Sequence, residues 1–268
     1  MPVHEVMCKS ALTKSNLPAA DYALNPYVGC SHSCRYCYAS FMRRFTKHGG
    51  EKWGSFVDVR VNMPTILARE LRTPRKGTVL FGSVTDCYQP LEQKYQLTRK
   101  CLEVLGQRKS GLLPGVLTKS ELITRDADLL SSLGAEAGLT ITSLEESVSR
   151  AFEPGASLPK QRIEALRQLH EAGVATYVFI GPILPGLTNM REILKAVKGS
   201  VGAAMAEALN LRSGGLNCEE VYQEHFPEQL KEFRAYCADP RNYATRLREE
   251  FEEACQENDI TMAGFFLH

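Results

Sequence analysis

Three cysteines that lie close together in the chain have the spacing and the chemistry to hold one metal centre. Cys30, Cys34 and Cys37 fall within eight residues in a CxxxCxxC pattern. One curl of the chain can bring three such thiolates together, and soft thiolate ligands favour zinc, copper(I) or an iron–sulfur cluster. A closed structural zinc site needs four protein ligands, whereas the local count here is three. A cubane cluster held by three cysteines leaves one iron open, so the pattern favours a catalytic centre.

The residues around these cysteines resemble a known family. Tyr36 precedes the third cysteine, and CxxxCx(aromatic)C is the signature of radical S-adenosylmethionine (SAM) enzymes. The resemblance implies a [4Fe-4S] cluster whose open iron binds the amino and carboxylate groups of SAM, with Tyr36 among the cofactor-binding residues. It also implies that an electron from the cluster cleaves SAM to methionine and a 5′-deoxyadenosyl radical, which abstracts hydrogen from a substrate. A zinc knuckle or a redox pair is the alternative, because CxxC by itself is weak evidence.

Residues 83–92 resemble the TDxYQPxE segment of one branch of this family, the group around spore photoproduct lyase. They follow a buried strand, and parallel βα folds bind ligands at the carboxyl ends of strands. The resemblance places the amino group of SAM here, with Thr85 and Asp86 as candidate contacts; a simple turn is the alternative. Relatives often have proline where this chain has Cys87. A thiol near a radical can donate a hydrogen atom, but it can equally be a small buried hydrophobic residue.

Two further strand ends carry hydroxyl and ammonium groups. Lys119 and Ser120 follow the strand at 115–118, and the resemblance places this segment at the carboxylate and ribose of SAM. An ammonium group and a hydroxyl group suit an anionic cofactor tail; the alternative is a surface helix start. Thr142 ends the next strand, where the side chains are rich in hydroxyl groups. Such side chains also occur on any half-polar strand.

An arginine and a glycine–proline strand end complete the candidate cofactor contacts. Arg162 resembles the arginine of the branch and is a second candidate for the SAM carboxylate, because guanidinium binds carboxylate in a bidentate manner. Glu153 could orient Arg162, or the two could form a plain ion pair. The resemblance places the strand end around Ile183 against adenine. Relatives often have aspartate where this chain has Asn189.

A polar loop after the cysteines supplies the candidate acid–base residues. His48 and Glu51 flank a Gly-Gly pair, and such a loop near a site often carries specificity. Both side chains could move protons or hold a polar substrate. The alternative is an ordinary surface histidine. Together with Cys87, these two residues are the predicted catalytic set.

The elements that must position these residues alternate between strand and helix. Strands are predicted at 77–82, 115–118, 138–142, 175–180 and 204–211, with one more before Cys30, and a helix at 161–172 lies between Pro159 and Gly173. This alternation predicts an α/β fold with parallel pairing. About six units match the partial (βα)6 TIM-like barrel of radical SAM enzymes, since a full barrel needs more chain. We expect residues 1–212 to form the barrel, with the cluster loop at 30–37, and 213–268 to form a C-terminal helical extension.

Composition limits the setting in which the chain acts. It has 268 residues, 44% hydrophobic and 24% charged, with a formal net charge of +1. No apolar run reaches the roughly 18 residues of a spanning helix. The chain has nine cysteines and no secretory signal. This combination predicts a cytoplasmic protein whose cysteines are thiols and metal ligands. The stretch around the cluster cysteines is basic, which suits anionic groups or is simply a solvated face.

Within the radical SAM interpretation, two substrate classes compete. A small nucleobase-like molecule is favoured, because the compact chain suits a small substrate and the branch is similar to queuine lyases of queuosine salvage, which act on a deazaguanine base by C–N bond cleavage. The alternative is a DNA photoproduct lyase of the spore photoproduct lyase type, although the composition shows no strong basic groove for duplex binding. A non-catalytic iron–sulfur or zinc protein would leave residues 83–92 without a role. A reductant such as flavodoxin or ferredoxin is the expected partner.

Overall fold

Strands and helices alternate along the chain in the order that the sequence predicts. The structure, a computed structural model, describes residues 1–17, 20–108 and 110–267. Within these residues the strands are β1 (Val3–Val6), β2 (Thr13–Lys14), β3 (Tyr22–Leu24), β4 (Tyr27–Val28), β5 (Val57–Arg60), β6 (Gly77–Phe81), β7 (Leu112–Thr118), β8 (Glu136–Thr140), β9 (Ala175–Ile183), β10 (Ala203–Ala208) and β11 (Thr261–Phe266). The helices are α1 (Met63–Glu70), α2 (Glu92–Tyr95), α3 (Leu97–Arg108), α4 (Ala127–Ser132), α5 (Glu146–Phe152), α6 (Pro159–Glu171), α7 (Met190–Val197), α8 (Cys218–His225), α9 (Leu230–Ala238) and α10 (Pro240–Asn258). Short 3₁₀ helices cover Tyr38–Phe45, Glu121–Asp126 and Gly215–Asn217.

Eight strands form the main sheet, in the order β11-β10-β9-β8-β7-β6-β3-β2. All neighbouring pairs are parallel except β2 with β3. Parallel neighbours need long crossover connections, which the intervening helices supply. In the described part of the chain β11 and β2 are unpaired edges. The fold is therefore the open, partial barrel of α/β class that the alternation predicts.

The strand predicted before Cys30 is β3, and the other five predicted strands correspond to β6 through β10. The strand β10 ends at Ala208, earlier than expected, because the Asn210 side chain turns the chain by accepting hydrogen bonds from the amides of Arg212 and Ser213 at 3.0 and 3.1 Å. The apolar C-terminal tail forms β11 and pairs in parallel with β10. His268, at the end of that tail, lies outside the described residues. The division of the chain at residue 212 stays a prediction.

A second sheet of three strands lies beside the main sheet and leads into the cluster loop. Its order is β1-β5-β4, with β1 parallel to β5 and β4 antiparallel to it. Tyr27 of β4 is fully buried with Val57 and Val59 of β5 and with Leu97. This small apolar cluster fixes the direction in which the chain enters the cysteine loop.

Two larger apolar cores hold the rest together. The first lies between the main sheet and the helices on its outer side, including α1, α3, α6 and α7. The second joins α5, α8 and α9, and it includes Tyr36 of the cluster loop together with Phe152, Leu184 and Tyr222. Tyr222 also donates a hydrogen bond of 2.8 Å to the carbonyl of Pro185. The C-terminal helices therefore cover the cluster loop on one side.

None of the helices in the described residues is both long and apolar enough to cross a membrane.

Candidate functional site

The three cysteines lie on one tight loop at the carboxyl end of the main sheet. The amide of Ser33 donates to the carbonyl of Cys30, and the amide of Cys37 donates to the carbonyl of Cys34, each at 3.3 Å. Ser33 has a left-handed backbone with φ of 54°, which lets the loop reverse within a few residues. Two successive turns thus hold the three cysteines within one short loop.

Two glycines from remote parts of the chain lie in close contact with the backbone of this loop. A Cβ on Gly155 would lie 2.2 Å from the carbonyl oxygen of Ser31, and the Gly155 amide donates to the carbonyl of His32 at 3.0 Å. A Cβ on Gly214 would lie 3.0 Å from the carbonyl of Tyr36. Only glycine permits such close backbone approach. The barrel and the segment after β10 therefore both define the position of the cysteine loop.

The three thiols are free of disulfides; Cys30 is buried, and Cys34 and Cys37 are partly buried. Burial raises the pKa of Cys30 and Cys37, and it raises the pKa of Cys34 to about 12. The Trp53 indole N–H donates to Sγ of Cys37 at 3.2 Å. Thiols whose pKa is raised in this way become thiolates when a bound metal compensates their charge. The donor set is therefore suited to a soft metal centre.

The spread of these sulfur atoms bears on which metal centre fits. Histidine nitrogens, cysteine sulfurs and carboxylate oxygens can all bind a metal. Within the described residues, one group of three such atoms has all its members within 4.8 Å of one another, and it belongs to His4, His48 and Asp58. At least one pair of the three cysteine sulfurs is therefore more than 4.8 Å apart. A single tetrahedral zinc ion holds its sulfur ligands about 3.8 Å apart. Three soft donors with a wider spread fit a polynuclear iron–sulfur cluster better than one zinc ion.

Thr85 and Gln89, from the segment after β6, hold the entry to the cysteine loop. Thr85 Oγ1 donates to the carbonyl of Gly29 at 2.6 Å, and Gln89 Oε1 accepts from the amide of Ser31 at 3.0 Å. Gln89 Nε2 also donates to Thr85 Oγ1 at 3.2 Å. The predicted cofactor contact Thr85 thus has a partner inside the protein, and its hydroxyl positions the loop before Cys30.

Asp86 links the cysteine loop to the end of β7. One carboxylate oxygen accepts from Thr118 Oγ1 at 2.6 Å, and the other accepts from the Lys119 amide at 2.9 Å and lies 3.2 Å from His32 Nδ1. Although burial opposes ionisation, the His32 ring and these hydrogen bonds hold the pKa of Asp86 well below its usual range. Asp86 is therefore a buried carboxylate that ties three segments together. His32 has no predicted role; the one signal for it is its place between two cluster cysteines.

A buried network joins Tyr36 to the ends of β8 and α6. The Tyr36 hydroxyl and the Arg162 guanidinium both donate to the Glu153 carboxylate, and Thr142 Oγ1 donates to it at 2.9 Å. Arg162 also donates to the carbonyl of Thr140 at 2.9 Å. Burial alone would raise the pKa of Glu153, but the Arg162 and Lys119 charges lower it to about 2. The structure therefore places the predicted contacts Tyr36, Thr142 and Arg162 in one network with Glu153.

Lys119 differs from these residues because its ammonium group has no carboxylate partner within hydrogen-bond distance in the part of the chain that the structure describes. Its Nζ lies 5.6 Å from the centre of the Tyr36 ring, directly beside the cluster loop. Burial opposes its charge, but nearby Cys34 and Glu153 outweigh that effect and raise the pKa of Lys119. The charged ammonium group of Lys119 can therefore bind an anionic ligand beside the cysteines.

Three other predicted residues occupy structural positions at strand ends. Ser120 caps the following 3₁₀ helix by accepting from the Leu122 amide at 3.3 Å. Ile183 is buried at the end of β9, and Cys87 is fully buried in the main core, where burial raises its pKa. Asn189 caps α7 by accepting from the Glu192 amide at 3.1 Å. Aspartate caps helices equally well, so the aspartate that the family resemblance implies at this position would keep the cap.

His48 and Glu51 lie in the loop before β5, where His48 contacts the small sheet, and not among the strand ends of the barrel. His48 stacks on Phe56 with ring centres 4.0 Å apart, and its Nε2 lies 2.9 Å from Asp58 Oδ1 of β5. Its Nδ1 lies 2.5 Å from Glu51 Oε1. The link from this loop to the cysteines is Trp53, whose indole N–H donates to Cys37 Sγ.

Comparison with known proteins matches this geometry to a family. A family model described as the radical SAM superfamily matches residues 24–198. The chain is 31% identical over 265 residues to an uncharacterized protein of Methanocaldococcus jannaschii, which covers 98% of this chain and 97% of the relative. It is also 34% identical over 218 residues to an uncharacterized protein of Mycobacterium tuberculosis, over 78% of this chain and 64% of that protein.

Among solved structures, spore photoproduct lyase complexed with dinucleoside spore photoproduct has a similar fold. The TM-score is 0.70 at 18% sequence identity, and the match covers 99% of this chain and 82% of that one. At this identity the likeness concerns the fold alone.

Proposed function

The chain belongs to the radical SAM superfamily, and from that premise we propose that it is a radical SAM lyase in which Cys30, Cys34 and Cys37 hold a [4Fe-4S] cluster. When bound, the cluster and SAM supply reductive cleavage of SAM to a 5′-deoxyadenosyl radical that abstracts hydrogen from the substrate. The observation that carries the proposal is the loop of three disulfide-free thiols, which hydrogen bonds tie to the ends of β6, β7 and β8.

The proposed roles of the protein side chains follow from their contacts. Lys119 would bind the carboxylate of SAM, since its ammonium group is charged, close to Tyr36 and without an acidic partner in the described residues. Asp86, Thr85 and Arg162 would act by positioning, because each already has buried partners inside the protein. The covering of the loop by α8 and α9 would exclude water from the reacting groups.

We favour a small, nucleobase-like substrate and a C–N bond cleavage of the queuine lyase type. The second apolar core closes one side of the site, and Cys30, His32 and Tyr36 of the cluster loop are buried. Such enclosure suits a free base better than a duplex. The enzyme would act in the cytoplasm with a flavodoxin or ferredoxin as its reductant.

A thymine photoproduct in DNA is the second candidate, by analogy with the ligand of the similar fold. One surface feature favours it: the 3₁₀ helix after the cysteines exposes Phe41 and Phe45 beside the exposed Arg44 and Lys47. Aromatic and basic side chains side by side suit single-stranded nucleic acid, since bases stack on the rings and phosphates pair with the charges.

The first experiment is anaerobic reconstitution with iron and sulfide, followed by dithionite and SAM. We expect about four irons per chain and release of 5′-deoxyadenosine, with faster release when the correct substrate is added. Queuine and a dinucleoside spore photoproduct are compared as additions, so that the faster one identifies the substrate class. Cys34→Ala should lose iron, whereas Cys237→Ala, outside the loop, should keep it. Full iron retention in Cys34→Ala would overturn the cluster assignment, and zinc alone on the three cysteines would overturn the enzyme assignment.

A further inference from the structure

The small sheet carries a cluster of ligand atoms that the radical SAM machinery does not account for. His4 in β1 and Asp58 in β5 are direct partners in the parallel register of that sheet. His48 reaches the same point from the loop before β5, and the nitrogen and oxygen ligand atoms of the three side chains all lie within 4.8 Å of one another. Residues far apart in the chain thus converge on one point.

The His48 ring is oriented as a metal ligand requires. Its Nε2 lies 2.9 Å from Asp58 Oδ1, a separation close to the roughly 3.3 Å between two N/O ligands of one tetrahedral ion. Its Nδ1 lies 2.5 Å from Glu51 Oε1, and in the tautomer that carries its proton on Nδ1 the Nε2 lone pair faces Asp58 Oδ1. Metal-binding histidines usually have such a carboxylate on the second nitrogen. The stack on Phe56 holds the ring in place.

We propose that His4, His48 and Asp58 bind a divalent transition metal, with zinc favoured and water as the fourth ligand. Two imidazoles and one carboxylate are borderline ligands of the kind zinc takes at sites with an open position. His4 is exposed, so that the ion has an entry path and the ring can rotate to close the remaining distance. Glu51 would support the site through His48 without touching the metal.

The metal site would stabilise the cluster loop through Trp53. His48 and Asp58 lie at the two ends of the segment that contains Trp53, and the Trp53 indole donates to Sγ of Cys37. A metal that joins both ends of this segment, and joins them to β1, restricts its motion and holds that donor in place. The role is therefore structural, and it is separate from the chemistry at the cysteines.

Zinc binding to the full-length, iron-loaded protein tests the proposal. Anaerobic equilibrium dialysis against zinc, with metal analysis, should give one zinc per chain in addition to the iron. His4→Ala, which alters an exposed side chain, and Asp58→Asn, which keeps its shape, should each weaken zinc binding by tenfold or more. His170→Ala, an exposed histidine on α6, is the matched control and should bind zinc normally.

X-ray absorption at the zinc edge gives a readout that does not depend on activity. Nitrogen and oxygen ligands at about 2.0 Å support the site, whereas sulfur at about 2.3 Å would mean that zinc has occupied the cysteines and would overturn it. Equal zinc binding in His4→Ala, Asp58→Asn and the control would also overturn it. Amide exchange should slow in the segment around Trp53 when zinc is added; an unchanged rate would overturn the stabilising role.

Discussion

Arg162 and Glu153 form an ion pair that is almost completely buried, with 1% and 2% of their surfaces exposed. The pair lies at the end of β8, and the same carboxylate receives the Tyr36 hydroxyl of the cluster loop. The Glu153 carboxylate therefore serves both the ion pair at the barrel end and the position of the cluster loop.

Loss of the Glu153 charge should destabilise the fold. Glu153→Gln leaves the Arg162 guanidinium buried without its counter-charge, which typically costs about 3–5 kcal/mol. Urea unfolding of the protein without cluster measures the free energy. Glu164→Gln is the matched control, because the Glu164–Arg167 pair is exposed and such pairs contribute at most about 1 kcal/mol. Equal losses in the two variants would contradict the role assigned to the buried pair.

The same carboxylate should make stability depend on pH in acid. The pKa of Glu153 is lowered from its usual 4.5 to about 2 in the folded protein, so the unfolded chain binds the proton more tightly. The stabilisation is fully present above pH 4.5 and is lost as the pH falls toward about 2. We expect unfolding curves of the native protein to lose more stability over this range than those of Glu153→Gln. Parallel pH profiles would show that the group does not titrate as described.

Crowding of the cluster loop should reduce cluster assembly without unfolding the barrel. In Gly155→Ala the new methyl group would lie 2.2 Å from the Ser31 carbonyl, which forces the loop to move. We expect less iron per chain after reconstitution, with near-normal circular dichroism. Gly202→Ala is the control, because nothing lies within 4 Å of its Cβ. Full iron loading in Gly155→Ala would mean that the loop tolerates the displacement.

Removal of the hydrogen bond to Cys37 should lower the reduction potential of the cluster. Trp53→Phe keeps an aromatic ring but loses the N–H that donates to the sulfur at 3.2 Å. Donors to cluster sulfurs stabilise the reduced state, so the potential should become more negative. A redox titration followed by electron paramagnetic resonance measures the shift. Ser55→Ala, in the same loop but bonded to the Lys52 carbonyl, should leave the potential unchanged.

Loss of the Lys119 charge should weaken SAM binding and spare the cluster. Lys119→Met keeps the length and the apolar stem, and a hydrogen bond to a charged group contributes about 1.5–3 kcal/mol. We therefore expect a loss of affinity of about tenfold to a hundredfold in anaerobic equilibrium dialysis with labelled SAM, at unchanged iron content. Lys160→Met, on the exposed start of α6, should bind SAM as the native protein does. Unchanged affinity in Lys119→Met would remove Lys119 from the cofactor site.

Local sequence by itself determined the class of the fold and the place of the cysteines. Strand propensity, helix caps and alternation act over a few residues, so β6 through β10 and the helix α6 between Pro159 and Gly173 could be predicted closely. The CxxxCxxC spacing likewise lies on one short loop. Even Asn210, which ends β10 early, acts through its own neighbours.

Only the tertiary structure decided what each polar side chain contacts. Thr85, Asp86 and Arg162 bond to partners 56, 32 and 9 residues away, and no local pattern reveals whether a buried group has such a partner. The register of β1 against β5 brings His4 to Asp58, since strand pairing joins segments that are remote in the chain. Burial and convergence are properties of the whole fold. In the described residues they distinguish Lys119, whose ammonium group has no carboxylate within hydrogen-bond distance, from residues of similar chemistry that are already paired.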